Sequence, residues 1–224
     1  GHNRSAYEIA KAAVEEDAGE VAVSSYQGGH EEFFPYLRQL LDAEGASHVA
    51  IFGGGGGVIL PDEIERLETA GIDKIFSPED GMRLGIDGMM KMMVERARHA
   101  ARVCLECPDA VPLSSPAATA RAITAMELGI EAADCDETAP GLAGKAAPVL
   151  GVTGTGGAGK SSIVDELVLR LKRDFPDLRV AIIAVDPTKR KTGGALLGDR
   201  IRMNAIRNSR VYMRSLATRQ SNLA

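Results

Sequence analysis

Gly154, Gly159, Lys160 and Ser161 fall at the spacing G-x-x-x-x-G-K-[ST] within the segment GTGGAGKS. That spacing suits phosphate. Glycines let the main chain curl until several N–H groups face one point, and the N-terminus of a following helix adds partial positive charge. Lys160 can then reach the outer phosphates, and Ser161 can offer a hydroxyl to magnesium. The stretch Gly157, Ala158, Gly159, Lys160, Ser161 and Ser162 is the expected cradle. The motif has meaning only between a strand and a helix, and its flanks fit. Val149 to Thr153 reads as a short buried strand, while Ile163, Val164, Leu167, Val168 and Leu171 recur at helical spacing on one face. A nucleoside triphosphate is the ligand implied. A glycine-rich turn that only caps the helix is the plainer alternative.

Val180 to Val185 is a continuous apolar run of strand length, the pattern of a parallel strand covered on both faces. It delivers Asp186 to its carboxyl end, the edge where ligands of open α/β sheets bind. Magnesium takes hard oxygen ligands, for which Ser161, Asp186 and Asp199 are candidates, with the Val185 carbonyl within reach of the same place. Asp199 could equally cap the helix opening at Gly198. The basic run Lys189 to Lys191 is either a solvated loop or a counter-charge for phosphate.

The elements that would position a second site alternate through the first hundred residues. Helices are expected over 7–16, 31–43, 62–70 and 85–99, and strands over 20–25, 48–52 and 73–76. Such alternation predicts a parallel sheet flanked by helices. Two loops at strand ends stand out, Ser24 to His30 and the five glycines Gly53 to Gly57. Ordering five glycines costs much backbone entropy. A bulky ligand lying against the main chain would justify it; a flexible linker is the alternative. On that reading a bulky side chain at Gly54 or Gly55 should exclude the ligand, with little change in fold stability unless the position also needs positive φ.

Residues 148–219, through the blocks PVLGVTGTGGAGKSSIVDEL, AVDPTKRKTGGALLGDRIRM and YMRSLATR, resemble the GTPase family that chaperones cobalamin-dependent acyl-CoA mutases. The resemblance implies that Ser161, Asp186 and Asp199 hold Mg2+ and that Arg202 lies at the nucleotide. The Asn-Lys-x-Asp segment that selects guanine is missing from the chain, so GTP over ATP rests on resemblance alone. The two N-terminal loops, with Ser77 to Gly81, resemble the cobalamin-binding domain of acyl-CoA mutases, where a serine and paired glycines hold the nucleotide tail of the cofactor. The matching positions are Ser24, Tyr26, Gly54 and Gly55. That family ligates cobalt through Asp-x-His-x-x-Gly, which does not occur here. Gly1 to Arg4 looks like the exit from a second strand, so the cobalt-ligating loop is expected upstream of residue 1. His2, His30, His48 and His99 are expected to be surface or packing residues.

The two resemblances in this order point to the fused acyl-CoA mutases of the isobutyryl-CoA type. The fold class implied is α/β: a flavodoxin-like, Rossmann-type parallel-sheet cobalamin-binding domain over 1–103, a partly helical linker over 104–147, and part of a P-loop GTPase domain over 148–224. Both domains are expected to be incomplete. Adenosylcobalamin, Mg2+ and GTP are the implied ligands. Rearrangement of the acyl-CoA carbon skeleton would take place on a substrate barrel outside this chain, with the GTPase gating cofactor loading. A homodimer in the cytoplasm is expected. Two other classes stay open: a cobalamin-trafficking GTPase without mutase activity, and a nucleotide-dependent switch joined to a generic flavodoxin-like partner.

Composition is compatible with such an enzyme. The 224 residues are 45% apolar and 25% charged, enough for two compact units. A net charge of −5 argues against a general nucleic-acid binder, and no stretch has the length and apolarity of a membrane span. The linker carries Pro108, Pro112, Pro116 and Pro140 and reads as a packed connector. Cys104-Leu105-Glu106-Cys107 has only Cys135 to join it, and a closed zinc site normally takes four ligands. Reduced structural thiols are the expected state.

Overall fold

The computed structural model describes residues 4–26, 28–106, 115–129, 147–186, 200 and 202–217; for 100–106, 186 and 217 it describes the main chain alone. Two compact units divide the chain, residues 1–128 and 129–224. Both have α/β character with parallel strands.

In the first unit the order is α1 (Ala6–Glu15), β1 (Glu20–Ser24), α2 (His30–Ala43), β2 (Ala50–Gly54), α3 (Pro61–Thr69), β3 (Lys74–Phe76), α4 (Pro78–Glu106) and α5 (Pro116–Leu128). The strands form one parallel sheet in the order β1-β2-β3. Ser24 stands opposite Gly54, and Gly54 opposite Phe76. Ser5 starts α1 through a reciprocal cap, its hydroxyl accepting from the Glu8 N–H at 3.2 Å while its own N–H donates to the Glu8 carboxylate at 3.0 Å. The core gathers Val14 of α1, Phe34, Leu37 and Leu41 of α2, and Ile51 and Ile75 of the strands.

Two polar fasteners fix these elements. Asp73 accepts from the Ile51 N–H and from Arg96 Nε, each at 2.8 Å, tying β2 and the entry to β3 to α4. Arg38 donates to the Val49 and Ala46 carbonyls at 2.7 and 3.1 Å, fixing the turn between α2 and β2. The strand expected over 48–52 lies two residues later, so the first two glycines of the run belong to β2. The helix expected from Gly85 is the long limb of α4, which begins at Pro78 and breaks at Gly85, where φ 64 and ψ 175 suit only glycine. Helix α5 packs against α1, with Ala117 and Ala120 buried and Arg121 donating to the Gly45 carbonyl at 2.9 Å. Residues 116–128 of the expected linker are thus part of the first unit's packing.

In the second unit, α6 (Lys160–Asp174), β4 (Val180–Asp186), a short 3-10 turn (Ala205–Arg207) and β5 (Val211–Ala217) surround a core of Val168, Ile182, Met203, Ile206, Val211 and Met213. β4 and β5 pair in parallel from Val180 opposite Val211 to Asp186 opposite Ala217. Asp165 of α6 accepts from the N–H groups of Asn204 and Ala205 at 2.8 and 2.7 Å and so anchors the 3-10 turn. Buried Arg200 donates to the Met213 carbonyl.

Three expectations fail here. Residues 149–153 form no strand, and Val149 and Leu150 are 95% and 72% exposed. A buried strand needs a ladder partner for its backbone, and among the described residues β4 and β5 bond only each other. β4 is covered on one face instead of two: Ile182 is buried, whereas Ile183 and Val185 are exposed. On α6, Val164 and Val168 meet the core, but Ile163 and Leu167 face out. Two strands cover a narrower stripe than the apolar positions of α6 span. No helix among the described residues is long and apolar enough to cross a membrane.

Candidate functional site

The loop from Gly154 to Gly159 is exposed along its whole length and turns into α6 at Lys160. Gly157 and Gly159 take φ of 78 and 81, backbone states that L side chains rarely adopt, and a Cβ at either would meet no other atom within 4 Å. Conformation, not crowding, therefore demands these glycines. Lys160 folds back so that Nζ donates to the Thr155 carbonyl at 2.8 Å, and the Ala158 N–H donates to the same oxygen at 3.3 Å. This contact holds the ammonium over the loop it would share with phosphate. The first N–H groups of α6, on Lys160, Ser161 and Ser162, lie in the turn that has no intrahelical acceptors. Ser161 is half-buried there, and Arg202 is exposed.

Of the expected magnesium ligands, Val185 and Asp186 end β4 at the carboxyl edge of the sheet, where their main chain pairs with Leu216 and Ala217. Asp199 lies outside the described residues, as do the basic run 189–191 and the side chains of Cys104, Cys107 and Cys135. Among the described residues no group of three or more His, Cys, Asp or Glu could hold a metal ion.

The first unit carries a cavity of about 460 Å³ at the carboxyl ends of its strands, and Ser24, Tyr26, Gly54 and Gly55 all line it. Strand periodicity explains part of the wall. Ala22 and Ser24 of β1 share a face with Phe52 and Gly54 of β2 and with Phe76 of β3. The rings of Phe52 and Phe76 stack at 5.9 Å with 10° between planes, and Met89 and Met93, four apart on α4, also line the cavity. The sequence reading missed these four apolar walls. Alternation along β2 and β3 could have placed Phe52 and Phe76 on a strand face, and the i, i+4 spacing could have paired the methionines.

The glycine run divides by cause. A Cβ at Gly53 would lie 2.5 Å from Ile75 and 2.6 Å from Phe34, and one at Gly55 would lie 2.5 Å from the Ser25 carbonyl oxygen. Those two are glycines because the protein's own atoms leave no room. Gly56 and Gly57 have φ of 57 and 90. Gly54 has neither reason: its nearest neighbour would be the Phe76 carbonyl at an ordinary 3.6 Å, and it faces the cavity. The expectation that Gly55 tolerates a side chain without cost to the fold is therefore corrected, while Gly54 keeps it.

Ser77, on the cavity wall, is held by a reciprocal cap at the start of α4: its N–H donates to Asp80 at 3.2 Å and its hydroxyl accepts from the Asp80 N–H at 3.1 Å. Burial pushes the Asp80 carboxyl up, but the Ser77 N–H, Arg83 and Lys74 outweigh it and hold the group below the ordinary carboxylate range.

Residues 119–222 match the family described as methylmalonyl-CoA mutase-associated GTPase MeaB. Over 99% of its length the chain is 54% identical to the fused isobutyryl-CoA mutase of Geobacillus kaustophilus. It matches a segment of fused isobutyryl-CoA mutases. The relatives from Nocardia farcinica and Cupriavidus metallidurans, similarly named, are 54% and 50% identical over 98% and 99% of the chain. The chain spans about one fifth of the length of these relatives, 21%, 20% and 20% respectively. The GTPase match contains the whole phosphate loop, together with Asp186, Asp199 and Arg202, and begins inside α5.

Proposed function

We propose that this chain serves an adenosylcobalamin-dependent acyl-CoA mutase of the isobutyryl-CoA type that carries its own GTPase. The observation that bears most weight is Gly54, a glycine that neither packing nor dihedral angle requires, facing an apolar-walled cavity at the strand ends. In this reading the first unit is a flavodoxin-like cobalamin-binding domain. Ser24 offers a hydroxyl to the nucleotide tail, Gly54 and Gly55 let that tail approach the main chain, Phe52 and Phe76 form its apolar floor, and Tyr26 covers the mouth. Similarity to named mutases along nearly the whole chain supports the same reading.

In the second unit, the N–H groups of Gly157 to Ser162 bind the phosphates of GTP, and Lys160 leaves the Thr155 carbonyl to neutralise their outer charge. Ser161, Asp186 and Asp199, with the Val185 carbonyl beside them, are the oxygen donors for Mg2+, and Arg202 adds a cation at the nucleotide. The donor set suits a hard ion. Adenosylcobalamin supplies the organic radical for a 1,2-rearrangement of the acyl-CoA skeleton. The residues of this chain contribute binding and gating, while acyl-CoA binds outside it and the assembly is a homodimer.

Three measurements on the full-length protein test the proposal: adenosylcobalamin titration followed by absorbance, calorimetry with a non-hydrolysable GTP analogue, and isomerisation of isobutyryl-CoA. Binding of both ligands with turnover is expected. Binding of both without isomerisation would reassign the protein as a cobalamin-trafficking GTPase. A spectrum unmoved by the cofactor would remove the cobalamin reading altogether.

A further inference from the structure

We propose that His30 is a positioning residue for the cavity, clasping the two loops that wall it through a hydrogen bond to Glu63; the inference rests on the cobalamin reading above. Residues 25–29 join β1 to α2 and carry Tyr26, while residues 55–60 join β2 to α3 and carry Gly55 and Gly56. On the cavity side the loops already touch. The Ser25 N–H donates to the Gly54 carbonyl at 2.9 Å, and the Tyr26 ring lies so close over Gly56 that a Cβ there would stand 3.1 Å from it.

At the far ends, each loop closes into a helix. His30 is the first residue of α2, Glu63 sits in the first turn of α3, and His30 Nε2 lies 3.0 Å from Glu63 Oε2. A carboxylate only accepts, so Nε2 is the donor. The same carboxylate oxygen accepts from the Leu60 N–H at 2.6 Å, so one atom holds the last residue of one loop and the first helical residue after the other. Between Tyr26 and His30 stand Gly28 and Gly29, both left-handed at φ 77 and 72, where a Cβ would touch nothing. They give the loop its turn but no packing.

Stability alone does not account for an imidazole here. His30 is only 6% exposed, and its Nδ1 is buried with no hydrogen-bond partner among the described residues. A buried unpaired polar atom costs free energy that an apolar side chain would not incur. The return for that cost is the Nε2 bond. Neighbouring charges do not compete for it: Glu31 of α2 and Asp62 of α3 share Arg66, at 2.8 and 3.0 Å. The Leu60 N–H, opposed by burial and joined by His30, holds the Glu63 carboxyl below its ordinary range, in its accepting form.

The test uses the full-length protein and the dissociation rate of adenosylcobalamin, with His30→Leu, His30→Gln, Glu63→Gln and Gly54→Val beside wild type. His30→Leu is expected to release the cofactor about tenfold faster, with no loss of melting temperature in the cofactor-free state. His30→Gln keeps an N–H donor and should return within about threefold of wild type. Glu63→Gln keeps the shared oxygen but not its charge, which weakens the bonds from both His30 and Leu60; it should move in the same direction as His30→Leu by a smaller factor and supplies the answer if that variant fails to fold. Wild-type release from both His30→Leu and Glu63→Gln overturns the clasp while Gly54→Val still reports on the cavity. A lower melting temperature with no rescue by His30→Gln would make His30 a packing residue only, which also overturns it. Failure of wild type to bind cobalamin would instead remove the reading on which the clasp rests.

Discussion

The two candidate sites are built by opposite means. In the first unit the cavity is a by-product of packing: Gly53 is a glycine because Phe34 and Ile75 press on it, and the strands that carry the wall are paired in register. In the second, the phosphate loop touches little. Gly157 and Gly159 are set by positive φ, and the segment leading into the loop pairs with no described strand. At crowded positions such as Gly53 and Gly55 a substitution must disturb the fold, whereas Gly54 is not so held; a site made by backbone conformation can lose its chemistry while the fold is untouched. Substitutions in the two regions should therefore separate on two axes, melting temperature and ligand affinity.

The largest effect belongs to the exposed loop. Lys160→Ala should lower GTP hydrolysis by roughly a hundredfold or more, the scale for loss of one positioned charge-stabilising donor, and leave the melting curve of the nucleotide-free protein unchanged. Among the described residues, what Nζ holds is its bond to the Thr155 carbonyl. Ser161→Ala should act through Mg2+, and Asp186→Ala should be partly rescued by raised magnesium. Turnover of Lys160→Ala at the wild-type rate would end the phosphate-loop assignment. A fall in melting temperature equal to that of a core variant would erase the contrast between the two regions.

Next in size are the cavity glycines, where packing and binding should part company within neighbouring positions. Gly55→Ala places a Cβ against the Ser25 carbonyl, which is main chain and cannot swing away, so a destabilisation of about 1–3 kcal/mol is expected. Gly54→Ala should stay within about 0.5 kcal/mol of wild type, and Gly54→Val should weaken cobalamin binding through occupied space. Denaturant unfolding beside absorbance titration reads both quantities. Equal destabilisation by Gly54→Ala and Gly55→Ala would mean that Gly54 too is a packing glycine, and the space at it would lose its meaning.

What was legible in the sequence follows the same divide. The alternation of helix and strand in the first unit could be read because each element carries its own periodicity and ends at its own breaker, as at Gly28-Gly29 and Gly53 to Gly57. The spacing from Gly154 to Ser161 is legible because it is local, and the role proposed for it is the one Lys160→Ala tests. The covering of faces could not. Whether Ile183 and Val185 are buried depends on what lies against β4, and a run of apolar residues records the capacity for burial, not the neighbour. Phe52, Phe76, Met89 and Met93 were missed for a related reason: apolar residues at strand and helix spacing read as core, and only the assembled sheet shows that one of its faces opens. His30, expected to be a surface or packing residue, is buried, but its partner Glu63 lies 33 residues away in the chain and could not be paired from spacing.

The smallest expected effect tests how firmly α5 belongs to the packed region. His48 lies beside Arg121 of α5, whose Nη2 is 3.5 Å from its Nδ1 and 2.9 Å from the Gly45 carbonyl. Burial pushes the His48 imidazole below its ordinary pKa, Arg121 and then Arg38 add to the fall, and Asp17 opposes it. The folded protein therefore binds this proton less readily than the unfolded chain. Stability from His48 is full above the unfolded imidazole value of about 6.5 and is lost as the pH drops below it toward the lower folded value. The carboxyl of Asp80, also held low in the fold, contributes stability that is lost only at more acidic pH, below about 4. Between pH 7 and 5, then, a decline in the first unit's stability should come from His48, and hydrogen exchange should rise first in α5, because protonation sets a second cation against Arg121. His48→Gln should flatten the decline. The same slope in wild type and His48→Gln would assign the titration to another group, and exchange that rises in α2 as early as in α5 would mean that α5 opens only with the whole unit, as firmly packed as the helices around the cavity.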